Sequence, residues 1–276
     1  MRNNTMAQAS IQQKQKLPQP FHLGMNVVYM TGGILALLLF FPGASVLSRL
    51  QWLDSGICAQ LLSHSFYPGG YRLPLCARNT GIYLGFFVTL VMLYSTGKGR
   101  AQYIPRWSIV AVLVGGIAAM AIDGFNSLLL DLHQPHLYQP DNLLRLATGL
   151  VTGLALALLF LPMLNRLFWR GYNELRSVAS WKALALFLPV PVISFLSISS
   201  QAAWTLYPVA LLSTSGMLTM LSGLNMIVLV AVSKRDETFE SYGELLPFFA
   251  LALLCAVGEL LLLAQGRVAL VHLLGV

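Results

Sequence analysis

The sequence predicts an all-α integral membrane protein of about seven transmembrane helices, and three observations predict it. Of its 276 residues, 57% are hydrophobic and only 10% charged, with a mean hydropathy of +0.70; a soluble fold of that length would expose far too much apolar surface. The apolar residues come in long runs that do not alternate, which favours helices, whose amides are paired within each segment, over barrel strands. Basic residues collect in alternate linkers, the pattern that sets orientation in a bilayer.

Seven runs follow in order: Met25 to Leu47, Asn79 to Ser95, Trp107 to Leu130, Leu143 to Leu164, Ala183 to Ser199, Leu206 to Val232 and Leu245 to Ala264. The first 24 residues, glutamine-rich between Gln12 and Gln19, are too polar to pack and are expected to form a flexible cytoplasmic tail, followed by one membrane domain over residues 25–276. Pro189 and Pro191 each remove an amide donor, so the fifth run is expected to kink or break. An N-in, C-out course leaves only Arg49, Arg72, Arg78, Arg145 and Arg267 of the 17 basic residues outside, as the positive-inside rule requires. The net charge of +7 is then accounted for by anchors beside anionic lipid, and no nucleic-acid partner is implied. The expected location is the cell membrane, spanned several times.

On that course the linker between the first two runs is an outer loop carrying Cys58 and Cys76. From Cys58 to Gly85 the chain reads C-A-Q-L-L-S-H-S-F-Y-P-G-G-Y-R-L-P-L-C-A-R-N-T-G-I-Y-L-G. This resembles a prokaryotic family of multispanning membrane proteins of unknown function, with the pattern C-H-Q, then R-S, then G-Y-x-L-P-x-C-A-R-C-T-G-I-Y-x-G. The resemblance extends through Asp123-Gly124 and Arg145 with Thr148-Gly149, so it covers about residues 58–153. Where the pattern has histidine, arginine and a third cysteine, this chain has Ala59, His64 and Asn79. A Cys/His metal site needs about four ligands at close range, and Cys58, Cys76 and His64 supply three; no metal and no other cofactor is expected.

The plainest account of Cys58 and Cys76 on an oxidising face is a disulfide closing a loop of about eighteen residues, worth roughly 3 kcal/mol by chain entropy. A redox-active pair is the competing account, with Arg78 placed to favour the Cys76 thiolate. Cys255 reads as a small core residue.

Ionisable residues inside a membrane are expensive and mark sites. Asp123 lies about 24 Å along its helix from Trp107, the depth at which Arg145 opens the fourth run and Arg78 the second. Asn126 is one turn away. The candidate ligand-binding group is therefore Arg78, Asp123, Asn126 and Arg145, in which two arginines against one aspartate would hold an anionic lipid headgroup or a small anionic solute; a structural ion pair is the alternative. A second polar group is expected where Glu259 meets Ser215, Thr219, Ser222 and Asn225. His133 and His136 have i, i+3 spacing in a turn. Gly81/Gly85 and Gly149/Gly153 are small-xxx-small pairs that permit close helix approach, expected in pseudo-equivalent second and fourth helices with the third between them. No motif fixes a reaction, so the expected role is non-enzymatic: binding, transport or accessory. An extracytoplasmic thiol-redox or metal-dependent enzyme and a scaffold subunit of a membrane complex are the alternatives.

Overall fold

The computed structural model describes residues 24–40 and 42–274. The polar tail expected at the N-terminus lies, but for Gly24, outside them. The described residues form α1 (Asn26–Phe40), α2 (Val46–Asp54), α3 (Ala77–Ser95), α4 (Trp107–Asp131), α5 (Asn142–Phe168), α6 (Trp181–Ala185), α7 (Pro189–Ser199), α8 (Leu206–Val232) and α9 (Tyr242–Leu274), with short 3-10 turns between. No strand occurs among the described residues, only two isolated bridges, Tyr103 with Arg176 and Trp169 with Phe239. Among the described residues, five helical stretches are long and apolar enough to cross a membrane: 107–131, 142–168, 181–199, 203–232 and 242–273.

The first expected run does not form one helix. At 15 residues α1 is about 22 Å long, and the chain then turns through Pro42 and Gly43, the latter at φ +118°. Ser45 caps α2 by accepting from the Ser48 amide, and Arg49 folds back to donate to the carbonyls of Leu38 and Ala44, at 2.9 and 3.2 Å. The Leu38 carbonyl, in the last turn of α1, is one a helix end leaves open. The fifth run breaks before Pro189 into α6 and α7, because each proline withholds an amide from the preceding turn.

The centre of the molecule is the crossing of α3 and α5. A Cβ on Gly81 would lie 2.6 Å from the Leu146 carbonyl oxygen and one on Gly85 2.7 Å from that of Leu150. Gly149 and Gly153 press in return on the carbonyls of Arg78 and Ile82. Both glycine pairs thus meet, and the two backbones touch with no helix between them, which corrects the expected order. The third span, α4, packs on α5 from outside: 17% of its most apolar stretch is buried, against 61% for α5. The opposite face of α3 receives α8, where Gly216 abuts the Tyr83 carbonyl; α9 packs on α8, and α1 and α2 pack on α9.

Linkers collect at the two ends of this bundle. At one end, Asn165 donates to the carbonyls of Gly99 and Ala101 at 2.9 and 2.8 Å and accepts from the Trp169 indole at 2.8 Å. Arg100 stacks there on Trp169 and Tyr242, 3.9 and 4.6 Å from the ring centroids. At the other end, Gly69 and Tyr67 donate to Gln201, and Asn142 donates to the Ser63 carbonyl at 3.0 Å. The second end carries the candidate site.

Candidate functional site

Arg78 stands in the first turn of α3 and Arg145 in the first turn of α5, so the α3–α5 crossing holds the two guanidinium groups side by side. Asp123, Asn126 and Ser127 come from the last two turns of α4 and are all buried. The Arg78 Nη2 donates to Asp123 Oδ2 at 2.6 Å and to Ser127 Oγ at 3.0 Å. Arg145 Nε reaches the same Ser127 oxygen at 3.4 Å, Nη1 donates to Asn142 Oδ1 at 2.8 Å, and Nη2 lies 3.1 Å from His64 Nε2. The second Asp123 oxygen accepts from the Tyr138 hydroxyl at 2.8 Å. Asn126 touches neither arginine: it ties down the 132–141 linker, donating to the Tyr138 carbonyl and accepting from the Leu137 amide at 2.9 and 2.7 Å.

The structure therefore brings Arg78, Asp123 and Arg145 together and gives Asn126 a supporting place. It adds Ser127, His64, Tyr138 and Asp131, which no spacing in the sequence singled out as a group. Asp131 Oδ1 is 3.3 Å from His64 Nε2, so the cluster holds two carboxylates for two guanidinium groups rather than one. His64 Nε2 cannot both donate to Asp131 and accept from Arg145. Burial, and then the charge of Arg145, hold the ring below its ordinary pKa, so the neutral ring accepts from Arg145. Arg78 keeps uncommitted donors: its Nε is buried without an acceptor, and its Nη1 lies against Gly124.

The remaining expectations divide. Cys58 and Cys76 are adjacent free thiols, with the Cys76 amide donating to the Cys58 sulfur at 3.3 Å. Asn225 meets Glu259 at 3.2 Å, but Thr219 and Ser222 donate back to their own helix, to the carbonyls of Ser215 and Leu218. Of these groups only Asn225 reaches across to α9, where it also donates to the Ala252 carbonyl at 3.5 Å. Cys255 is exposed on α9, which corrects its reading as a core residue. His136 bonds within its turn, to Gln134 and Gln139, and among the described residues no three His, Cys, Asp or Glu side chains are grouped to hold a metal.

A family described as a predicted membrane protein, DUF2085, matches residues 58–159, the stretch that runs from Cys58 through Arg78 and Asp123 to Arg145. An uncharacterised protein of Methanothermobacter thermautotrophicus is 31% identical over 103 residues, covering 37% of this chain and 83% of its own length. An uncharacterised protein of Methanocaldococcus jannaschii is 28% identical over 118 residues, 42% of this chain and 69% of its own. No solved structure matches the chain significantly.

Proposed function

Because the chain belongs to the DUF2085 family of predicted membrane proteins and is a multi-pass protein of the cell membrane, we propose a non-enzymatic binding, transport or accessory role in which the Arg78–Asp123–Arg145 cluster takes the oxyanion of a lipid headgroup or small solute. The reading includes a seven-crossing, N-in, C-out course with the cluster in the outer leaflet. It is supported by the gathering of Lys98, Arg100, Arg170, Arg176 and Arg235 in the linkers of the opposite end, where a cytoplasmic face would hold them.

One observation carries it: Arg78 keeps donors that no protein group satisfies. Asp123 and Ser127 hold Nη2, while Nε and Nη1 have no acceptor. A buried donor without a partner costs about 1–3 kcal/mol, which a phosphate or carboxylate would relieve with charge-assisted bonds. A second reading rests on the balance of two carboxylates and two guanidinium groups, which suits a sealed latch between helices.

The test is retention of phosphatidylglycerol by the full-length protein, measured by native mass spectrometry, for wild type and Arg78→Lys. Lysine keeps the charge but lacks the planar edge. The expected result is an anionic lipid held by wild type and bound about tenfold more weakly by the variant, the loss of roughly one charge-assisted hydrogen bond. Competition by inorganic phosphate would identify the oxyanion alone as the recognised group and point to a solute. Equal retention by both proteins, with Arg78→Lys merely less stable, would replace this reading with the latch.

A further inference from the structure

A second polar group is sealed where α2, the 55–76 loop, α3 and α8 meet. Asp54, the last residue of α2, is fully buried. Its Oδ2 accepts from the Thr214 hydroxyl of α8 at 2.8 Å, and its Oδ1 has no partner. The chain turns immediately after it: the amides of Ile57 and Cys58 donate to the Asp54 carbonyl at 3.3 and 3.1 Å, and this turn sets Cys58 beside the carboxyl group.

The Cys58 sulfur sits at the N-terminus of α3, for which Cys76 is the cap. It accepts from the Cys76 amide, and the Cys76 thiol, the Gln60 backbone and the Asn79 side chain also donate to it. Amides at a helix start stabilise a thiolate. The donation from Cys76, against the opposing effect of burial, holds Cys58 below the ordinary thiol range; the same bond pushes the donor, Cys76, above it. Burial raises Asp54 to about 8, with the Thr214 bond opposing and the nearby Cys58 charge adding to it.

Beside this group lies a cleft of about 260 Å³, lined by Ser55 and Gln60 on either side of Cys58 and by Arg267 and His272 of α9. Arg267 donates to the carbonyls of Cys58 and Ala59 at 2.9 and 2.8 Å. Both acceptors are neutral, so its charge is left for a ligand.

We propose that Cys58 and Cys76 are a redox-active pair that exchanges with a small carboxylate-bearing disulfide docked at Arg267, with Cys58 the attacking sulfur. The Cys58 thiolate, stabilised by the donors around it, attacks one sulfur of the disulfide. That S–S bond breaks, a mixed disulfide forms on Cys58, and the departing thiolate takes a proton from water. Cys76 then attacks the Cys58 sulfur, its proton going to the second departing thiolate. The protein dithiol is oxidised to a disulfide, and the ligand is reduced to two thiols. The groups facing Asp54 are Cys58 from the loop, Tyr83 of α3 and Thr214 of α8, with Leu260 closing the α9 side; Arg78 acts on Cys76.

The experiment uses the full chain in a Cys255→Ala background, which removes the exposed third thiol, with glutathione disulfide as probe and intact mass as readout. The expected result is oxidation of the reduced protein to an internal disulfide, two hydrogens lighter. Cys76→Ser should stop at a glutathione adduct on Cys58, and Cys58→Ser should form none. Thiols inert to glutathione disulfide, or a bridge present on purification that opens only under strong denaturing reduction, would overturn the proposal. If Cys58→Ser does not fold, the site of the adduct in Cys76→Ser decides it.

Discussion

The α3–α5 crossing makes a prediction of sign as well as size. Gly149→Ala adds one methyl group at a point where the obstruction is the Arg78 carbonyl oxygen, with the Gly81 Cα and the Ile82 nitrogen each 3.2 Å away. All three are backbone, so no side chain can swing aside and the helices must part. Overpacking of this kind costs about 1–3 kcal/mol. The upper end applies here, because shifting the first turn of α3 also pulls Arg78 from Asp123. Gly115→Ala, on α4, is the control: nothing lies within 4 Å of the added carbon, and a helix gains about 0.5–1 kcal/mol when alanine replaces glycine. Unfolding by sodium dodecyl sulfate in mixed micelles, followed by circular dichroism, should show Gly149→Ala less stable by about 3 kcal/mol and Gly115→Ala unchanged or slightly more stable. A Gly149→Ala protein within about 0.5 kcal/mol of wild type would refute the crossing.

Two further outcomes follow from buried polar groups. Asn165→Leu strands the Gly99 and Ala101 carbonyls and the Trp169 indole together, and should cost about 3 kcal/mol in the same unfolding assay; a loss under about 1 kcal/mol would mean these groups find other partners. Asp54 is raised from 3.8 to about 8 in the folded protein, so the folded state holds a proton that the unfolded chain releases. Its contribution to stability is full below the unfolded value and is lost as pH rises through about 8. Stability measured from pH 5 to 9 should therefore fall in wild type relative to Asp54→Asn, and parallel curves would remove the burial argument.

The sequence made some of this legible and hid the rest for physical reasons. Apolar runs announce lipid, and glycine at four-residue spacing announces a close crossing, because both are written on single helices. The depth arithmetic that joined Arg78, Asp123 and Arg145 works for the same reason: a helix rises by a constant amount per residue. His64, Tyr138 and Asp131 reach the cluster through the folding of linkers, which have no period to count. Asp54 looks like an ordinary acid near a loop, and only the arrival of α8, some 160 positions later, buries it. Cys255 was misjudged because a membrane helix is apolar on its lipid face as well as its core face, so hydrophobicity does not tell the two apart.

The crossing has a consequence in time. Gly81 and Gly149 stand 68 positions apart, and α4 is made between them. At roughly 5–20 residues per second of synthesis, α3 waits about 3–14 seconds for its partner, with its bare backbone groove occupied by lipid or by whatever escorts the chain into the bilayer. By then α4 has already been released, and it can take its place only after α5 arrives and completes the surface it docks on. The helix made between the two partners is thus installed after both, so a delay in α5 would leave α4 unanchored and Asp123 exposed in the bilayer without its arginine.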